Sequence, residues 1–190
     1  MNFHRRLSIL FTTIVISGCL FGQSSLRDIS LPDIKGTTVS LASFGTYQGT
    51  VYFFLSPDCP LCENYAKTIN DLRLSFPEKD IKFTGIFPGK YYSKMEILAY
   101  MDKYHPPLQV LLDPDLALTC YLDASITPEV FVVDHRGKVV YQGKIDNWVA
   151  ALGKHRTVVN QHYLKDALTA LMNGKPLAIS RTEAIGCLIE

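Results

Sequence analysis

The sequence has little net charge, and it shows neither an internal repeat nor a low-complexity run. Among its 190 residues, 19 Lys and Arg oppose 18 Asp and Glu, which leaves a formal charge of +1. That balance offers no electrostatic basis for a nucleic-acid partner. The composition, 47% hydrophobic and 19% charged, is that of a globular protein. The length suits a leader followed by one domain of about 150 residues.

The sequence also lacks the paired ligands of a structural metal site. Only one C-x-x-C is present, Cys59 to Cys62, and no second C-x-x-C or H-x-x-x-H accompanies it. Because a four-ligand zinc site needs a second pair, neither a metal nor a cofactor is predicted. A copper chaperone would need C-x-x-x-C with a distal His, so copper binding is kept as the least favoured alternative.

No hydrophobic run is long enough for a stable transmembrane helix. His4, Arg5 and Arg6 form a short basic region, and residues 7–16 are largely apolar. This is the layout of a secretory signal peptide, predicted over residues 1–19. The protein is therefore expected to be exported to the periplasm or cell envelope.

The end of the leader allows two cleavage products. Residues 16–19, Ile-Ser-Gly-Cys, resemble the bacterial lipobox, in which the cysteine becomes lipidated. Cys19 is then the predicted lipid attachment site, and this anchor is the only membrane contact expected. The alternative is ordinary cleavage near Gly22, which leaves a soluble protein.

Strand and helix patterns alternate along the rest of the chain. Continuous apolar runs or residue alternation predict strands at 31–41 (a hairpin), 50–55, 81–87, 108–112, 130–133 and 138–142. Amphipathic spacing and capping signals predict helices at 61–76, 94–104, 115–121 and 160–172. This order predicts an α/β sandwich on a mixed sheet, with a linker at 20–30, the domain at 31–178 and a tail at 179–190.

The dithiol lies where a buried strand gives way to a helix. Unpaired N–H groups and the positive end of the helix dipole stabilise a thiolate there, and Pro60 suits the first helical position. Cys59 is therefore the predicted attacking thiol, and Cys62, one turn along, the resolving thiol. The Asp58 carboxylate works against the thiolate. A structural disulfide would close only a tiny loop of little stabilising value.

These residues carry a resemblance to a known family. The segment from Ser56 to Cys62, its helix, and Ile126-Thr127-Pro128 before a strand–turn–strand together resemble the thioredoxin superfamily. The resemblance is strongest to the exported redoxin (AhpC/TSA-like) branch and to ResA/TlpA-type thiol-disulfide oxidoreductases, and it covers roughly residues 28–175.

The resemblance implies a thioredoxin-like three-layer sandwich with an N-terminal hairpin extension. It further implies that Pro128 is a cis-proline beside the dithiol and that the Thr127 backbone binds a partner's extended chain. Ser56 and Pro60 would support the site. The implied partners are proteins with disulfides and a membrane or periplasmic electron donor.

Because the sequence departs from the family pattern, the motifs do not identify the substrate. Asp58 replaces the Trp that usually precedes the first cysteine. Peroxiredoxins carry P-x-x-x-[T/S]-x-x-C, and here Ser56 matches the hydroxyl while Tyr52 stands in place of the Pro. Thiol-disulfide exchange is therefore the first functional prediction and peroxide reduction the alternative.

Cys187, near the end of the chain, has several interpretations. It could cap the active site, pair with Cys120 or bind a metal. The prediction is a buried or free terminal thiol, because cysteine often behaves as a small hydrophobic residue.

Overall fold

A computed structural model describes residues 25–104 and 108–190. The predicted signal peptide and Cys19 lie outside these residues. The strands are β1 (Ser30–Pro32), β2 (Thr38–Ser40), β3 (Gly49–Phe54), β4 (Ile81–Pro88), β5 (Gln109–Asp113), β6 (Ile126–Thr127), β7 (Glu129–Asp134), β8 (Val139–Gly143), β9 (Val149–Ala151), β10 (Lys154–His155) and β11 (Cys187–Leu188). The helices are α1 (Pro60–Ser75), α2 (Lys94–Tyr104), α3 (Ala117–Leu122) and α4 (Tyr163–Met172). Short 3-10 turns occupy Leu26–Asp28 and Leu41–Thr46.

The central sheet has five strands in the order β5-β4-β3-β7-β8. The β3–β4 and β4–β5 pairs are parallel, whereas β7 runs antiparallel to both β3 and β8. Every residue of β3 is buried, as its unbroken apolar run predicts for a strand covered on both faces. The predicted mixed sheet is confirmed.

Each face of the sheet carries its own hydrophobic cluster. Alternate side chains of β3 point to opposite faces, so Val51 and Phe53 join one cluster while Tyr52 and Phe54 join the other. The first cluster includes apolar residues of α1, α2 and α4, and it contains Cys59 and Cys62. The second includes the two 3-10 turns and α3. These layers confirm the predicted three-layer sandwich.

Two helices begin later than their sequence patterns predict. The predicted start of α4 at Asn160 is wrong, because His162 has a non-helical backbone (φ −114°, ψ 62°) and the helix begins at Tyr163. The N–H groups of Asn160 and Gln161 both donate to the Asn147 side-chain oxygen. Leu116 has φ 56°, the left-handed region, and α3 begins only after it. The Ser93–Glu96 capping box is present at the start of α2, with the Ser93 N–H donating to Glu96 Oε2 at 2.7 Å.

The ends of the described chain pack onto the sandwich. The N-terminal hairpin β1–β2 forms as predicted. Leu26 and Ile29, within the predicted linker, are buried because their side chains fill the second cluster. The predicted tail carries β11, which pairs with β6. Over the described ranges, none of the helices has both the length and the apolar character needed to cross a membrane.

Candidate active site

The dithiol sits at the N-terminus of α1, close to the end of the central strand. Cys59 is the N-cap residue in an extended conformation, and Pro60 occupies the first turn. The Cys59 N–H donates to the Ser56 carbonyl at 3.4 Å, which closes the turn between strand and helix. Both cysteines are fully buried at 0% exposure. The strand-to-helix placement predicted for Cys59 and Cys62 is therefore observed.

The Cys59 sulfur faces two groups that are distant in the sequence. As a thiol it donates to the Thr127 carbonyl oxygen, 3.2 Å away. The thiol of Cys187 donates to Cys59 Sγ, with the two sulfurs 2.7 Å apart. Three cysteine thiols thus meet at one point, of which the sequence indicated two.

The surroundings of Cys59 and Cys62 shift the pKa values of the two thiols in opposite directions. The hydrogen bond from the Cys62 thiol lowers the pKa of Cys59 to about 5; burial opposes this, while Cys187 and the backbone N–H groups of Leu61 and Cys62 add to it. Burial, together with the anionic Cys59, raises the pKa of Cys62 well above its usual value. Cys59 is therefore the thiolate and Cys62 the proton-bearing thiol, despite the neighbouring Asp58.

Thr127 and Pro128 lie beside the dithiol. The Thr127–Pro128 peptide bond is cis, as the family resemblance implies. The Thr127 hydroxyl lies 3.0 Å from the Ser56 hydroxyl, and both residues are buried. This side-chain contact joins the end of the central strand to β6 and holds the Thr127 carbonyl against Cys59.

An open groove of about 360 Å³ runs beside the dithiol. Its lining includes Ser56, Asp58, Tyr91, Tyr92, Thr127 and residues 187–190. The Tyr92 hydroxyl donates to Asp58 Oδ1. Asp58, where the family usually has Trp, therefore shapes the groove through this bond with Tyr92.

Cys187 is a free thiol, as predicted, and it is half-buried. Its contact with Cys59 favours the interpretation in which it caps the active site. The adjacent Gly186 is the one local signal, since glycine before a cysteine permits a close backbone approach. Within residues 25–104 and 108–190, no group of three or more His, Cys, Asp or Glu is arranged to hold a metal ion.

Comparison with known proteins identifies relatives over most of the chain. The model of the family described as AhpC/TSA matches residues 23–142. A Mycobacterium tuberculosis protein named "Putative peroxiredoxin Rv2521" is 27% identical over 144 residues, covering 68% of this chain and 90% of the relative.

Solved structures share the fold. An uncharacterized conserved protein from Geobacillus kaustophilus superposes with a TM-score of 0.76 at 23% identity, covering 85% of this chain and 87% of that chain. A secreted disulfide oxidoreductase of Mycobacterium tuberculosis, described as homologous to E. coli DsbE, superposes with a TM-score of 0.56 at 17% identity. The latter match covers 78% of this chain and 96% of the other.

Proposed function

The chain belongs to the AhpC/TSA family, and from that premise we propose that it is an exported thiol-disulfide oxidoreductase acting through the Cys59–Cys62 dithiol. The observation that carries the proposal is geometric: Cys59 caps the start of α1 with Cys62 one turn along, both are buried, and the Cys59 sulfur lies 3.2 Å from the Thr127 carbonyl oxygen. The acidities of the two thiols support it. Cys59 has its pKa lowered to about 5, and Cys62 has its pKa raised within the same helical turn. A thiolate nucleophile next to a protonated second thiol is the arrangement that disulfide exchange requires.

The reaction proceeds in two exchange steps. The Cys59 thiolate attacks one sulfur of a partner's disulfide, forming a mixed disulfide and releasing the other partner sulfur as a thiolate. Cys62 then loses its proton and attacks Cys59 Sγ, which forms the Cys59–Cys62 disulfide and releases the second partner thiolate. Two electrons pass from the dithiol to the partner. A membrane or periplasmic electron donor restores the dithiol.

Thr127 and Pro128 form the edge along which the partner binds. The Thr127 carbonyl lies 3.2 Å from the attacking sulfur, so an extended chain paired with this edge is held next to Cys59. Ser56 supports this edge through its contact with the Thr127 hydroxyl. The partner is therefore an extended segment carrying a disulfide.

The leader supports an envelope location for this activity. Export requires the predicted signal peptide at residues 1–19, and Cys19 would retain the mature protein at a membrane through a lipid anchor. Disulfides persist in oxidising compartments, where a disulfide exchange enzyme has substrates. Incorporation of radiolabelled palmitate into the wild type, and its loss in Cys19→Ala, distinguishes the anchored form from the soluble one.

Trapping of a mixed disulfide tests the exchange mechanism. In the double variant Cys62→Ser, Cys187→Ser, no second thiol remains beside Cys59 to resolve an adduct. Incubation with insulin is expected to give a covalent insulin adduct on Cys59 that reducing agent removes. Cys120→Ser, which leaves the three site thiols in place, is expected to release reduced insulin without an adduct. Failure of the double variant to form any adduct would overturn the proposed function.

Peroxide reduction is the second candidate function. It is favoured by the AhpC/TSA membership, by the peroxiredoxin named among the relatives and by the acidic Cys59. Peroxide would oxidise Cys59 to a sulfenic acid with release of water or an alcohol, and Cys62 would then form the disulfide with release of water. Against this, the position that peroxiredoxins reserve for Pro is Tyr52, which is buried within β3.

The peroxide rate distinguishes the two candidates. Because the peroxiredoxin Pro is absent, we expect hydrogen peroxide to consume the Cys59 thiolate at a rate close to that of an ordinary thiolate. Stopped-flow mixing of the reduced protein with peroxide, followed by the intrinsic fluorescence of Trp148, measures this rate. A rate constant several orders of magnitude higher would assign peroxidase activity instead.

A further inference from the structure

The C-terminal segment occupies the edge at which a partner's extended chain would bind. β11 pairs antiparallel with β6, with Cys187 opposite Thr127 and Leu188 opposite Ile126. The pairing places a cysteine of the protein itself at the position of a substrate cysteine. Residues 187–190 of the docked segment also line the groove beside the dithiol.

Glycines allow the segment to approach the domain closely. A Cβ added at Gly186 would lie 2.0 Å from the Thr127 carbonyl oxygen, closer than any side chain permits. Gly143, at the end of β8, has φ +128°, and a Cβ there would lie 2.1 Å from the Thr182 carbonyl oxygen. Glycine is therefore required at both contacts, which indicates that this docking is built into the sequence.

Hydrogen bonds hold the segment on both sides of Cys187. Before it, the Thr182 hydroxyl accepts from the Lys144 N–H at 2.8 Å and lies 2.8 Å from the Tyr141 hydroxyl. The Thr182 N–H also donates to the Gln142 carbonyl at 2.9 Å. After it, the Ile189 N–H donates to the Ser125 carbonyl at 2.9 Å. Cys187 is thus positioned by its flanking residues, independently of its contact with Cys59.

We propose that Cys187 is a third redox-active thiol and that residues 179–190 serve as a built-in substrate of the Cys59–Cys62 dithiol. The proposal rests on the proposed function, which supplies the oxidised dithiol. In that form, Cys187 loses its proton and attacks Cys59 Sγ. The Cys59–Cys62 bond breaks, the Cys59–Cys187 bond forms, and Cys62 leaves as a thiolate that takes up a proton. One disulfide is exchanged for another, with no net oxidation.

The acidity of Cys187 changes with the redox state of Cys59. In the reduced protein, burial, the hydrogen bond to Cys59 and the negative charges of Cys59 and Asp58 raise the pKa of Cys187 to about 12. Oxidation of Cys59 to a disulfide removes its negative charge, and with it one cause of this high pKa. Cys187 is thereby more readily deprotonated in the oxidised protein, which is the state in which it must attack.

The exchange gives the oxidised protein a closed form. With Cys59 bonded to Cys187, the edge strand β6 remains paired with β11, and a partner chain has to displace the segment to bind there. The segment therefore competes with partners for both Cys59 and the edge. Substrates that are small, or that bind tightly enough to displace the segment, therefore react more readily than weakly binding ones.

Disulfide mapping of Cys62→Ser tests the proposal. This variant keeps Cys59 and Cys187 but lacks the resolving thiol. Treatment of the full chain with oxidised glutathione is expected to convert most molecules to the Cys59–Cys187 disulfide. Trypsin then yields residues 36–67, with Cys59 as their only cysteine, joined to residues 182–190, while Cys120 falls in a separate peptide. Cys62→Ala, which removes the same thiol, guards against misfolding of the serine variant.

The alternative outcomes separate this proposal from the proposed function. If Cys59 carries only glutathione and Cys187 remains a thiol in both single variants, the proposal is overturned. Should the Cys62→Ser, Cys187→Ser variant still trap insulin in that case, the proposed function stands alone. If no insulin adduct forms, the proposed function fails, whether or not the two peptides are linked.

Discussion

Replacement of Cys59 by serine is expected to abolish insulin reduction, bringing the rate down to the uncatalysed background. A serine hydroxyl is not ionised near neutral pH, and it forms no disulfide, so neither exchange step can begin. The helix start and the groove are unchanged, because serine is nearly isosteric with cysteine and is itself a favoured N-cap residue. The measurement is the rate of insulin reduction with dithiothreitol as electron source.

The same variant identifies the thiolate by its titration. With the pKa of Cys59 lowered to about 5, the thiolate is fully formed at neutral pH and is protonated as the pH falls through 5. At pH 7 this corresponds to about 99% thiolate, against about 3% for an unperturbed thiol of pKa 8.5. Ultraviolet thiolate absorbance of the reduced wild type should show this acidic transition, and Cys59→Ser should lack it.

Two outcomes would contradict this prediction. A wild-type transition near the ordinary thiol value would show that Cys62 and the helix N-terminus do not stabilise the thiolate. Insulin reduction retained by Cys59→Ser would move the attacking role to another thiol. Cys120→Ser is the matched control, since it removes a thiol on α3 and should change neither the titration nor the rate.

Gly186→Ala is expected to detach the C-terminal segment from β6. The new methyl group would lie 2.0 Å from the Thr127 carbonyl oxygen and 2.8 Å from Ile126 Cγ2, and the first of these is a backbone atom. The segment relieves the collision by moving away, which uncovers Cys59. We expect alkylation of Cys59 by iodoacetamide to accelerate by about tenfold or more, equivalent to at least about 1.4 kcal/mol in the docking equilibrium.

Gly45→Ala is the matched control for this substitution. A Cβ at Gly45 would lie 3.6 Å from its nearest neighbour, the His135 carbonyl oxygen, which is ordinary van der Waals distance. Its alkylation rate should therefore equal that of the wild type. If Gly186→Ala also alkylates at the wild-type rate, the segment does not cover Cys59 in solution.

The accuracy of the sequence-based predictions depends on whether their signals are local. The strand-to-helix junction, Pro60 and the spacing of Cys59 and Cys62 lie within a few residues, so the placement of the dithiol on α1 was predictable. Thr127 and Pro128 were indicated by family resemblance, because nothing local ties them to a site 68 residues away. The apolar pattern predicts that α4 starts at Asn160 rather than at Tyr163, since it contains no sign of the non-helical backbone at His162 or of the contact between Asn147 and residues 160–161.

The role of Cys187 depended on information that no window of sequence contains. Its contact with Cys59 spans 128 positions, and β11 and β6 are two residues each, too short for a hydrophobic period. The pairing is decided by the backbone edge of β6 and by the space that Gly186 leaves.

The sequence by itself determined the α/β sandwich on a mixed sheet and the dithiol at the start of α1. The apolar run of β3, the amphipathic pattern of the helices and the signals for a helix start are properties of neighbouring residues, so they can be recognised without knowing the fold. Only the tertiary structure decided which groups contact Cys59. Folding brings the Thr127 carbonyl and the Cys187 thiol, both distant in the sequence, to the Cys59 sulfur. The third thiol of the site is a consequence of folding, because long-range packing, rather than local preference, places it there.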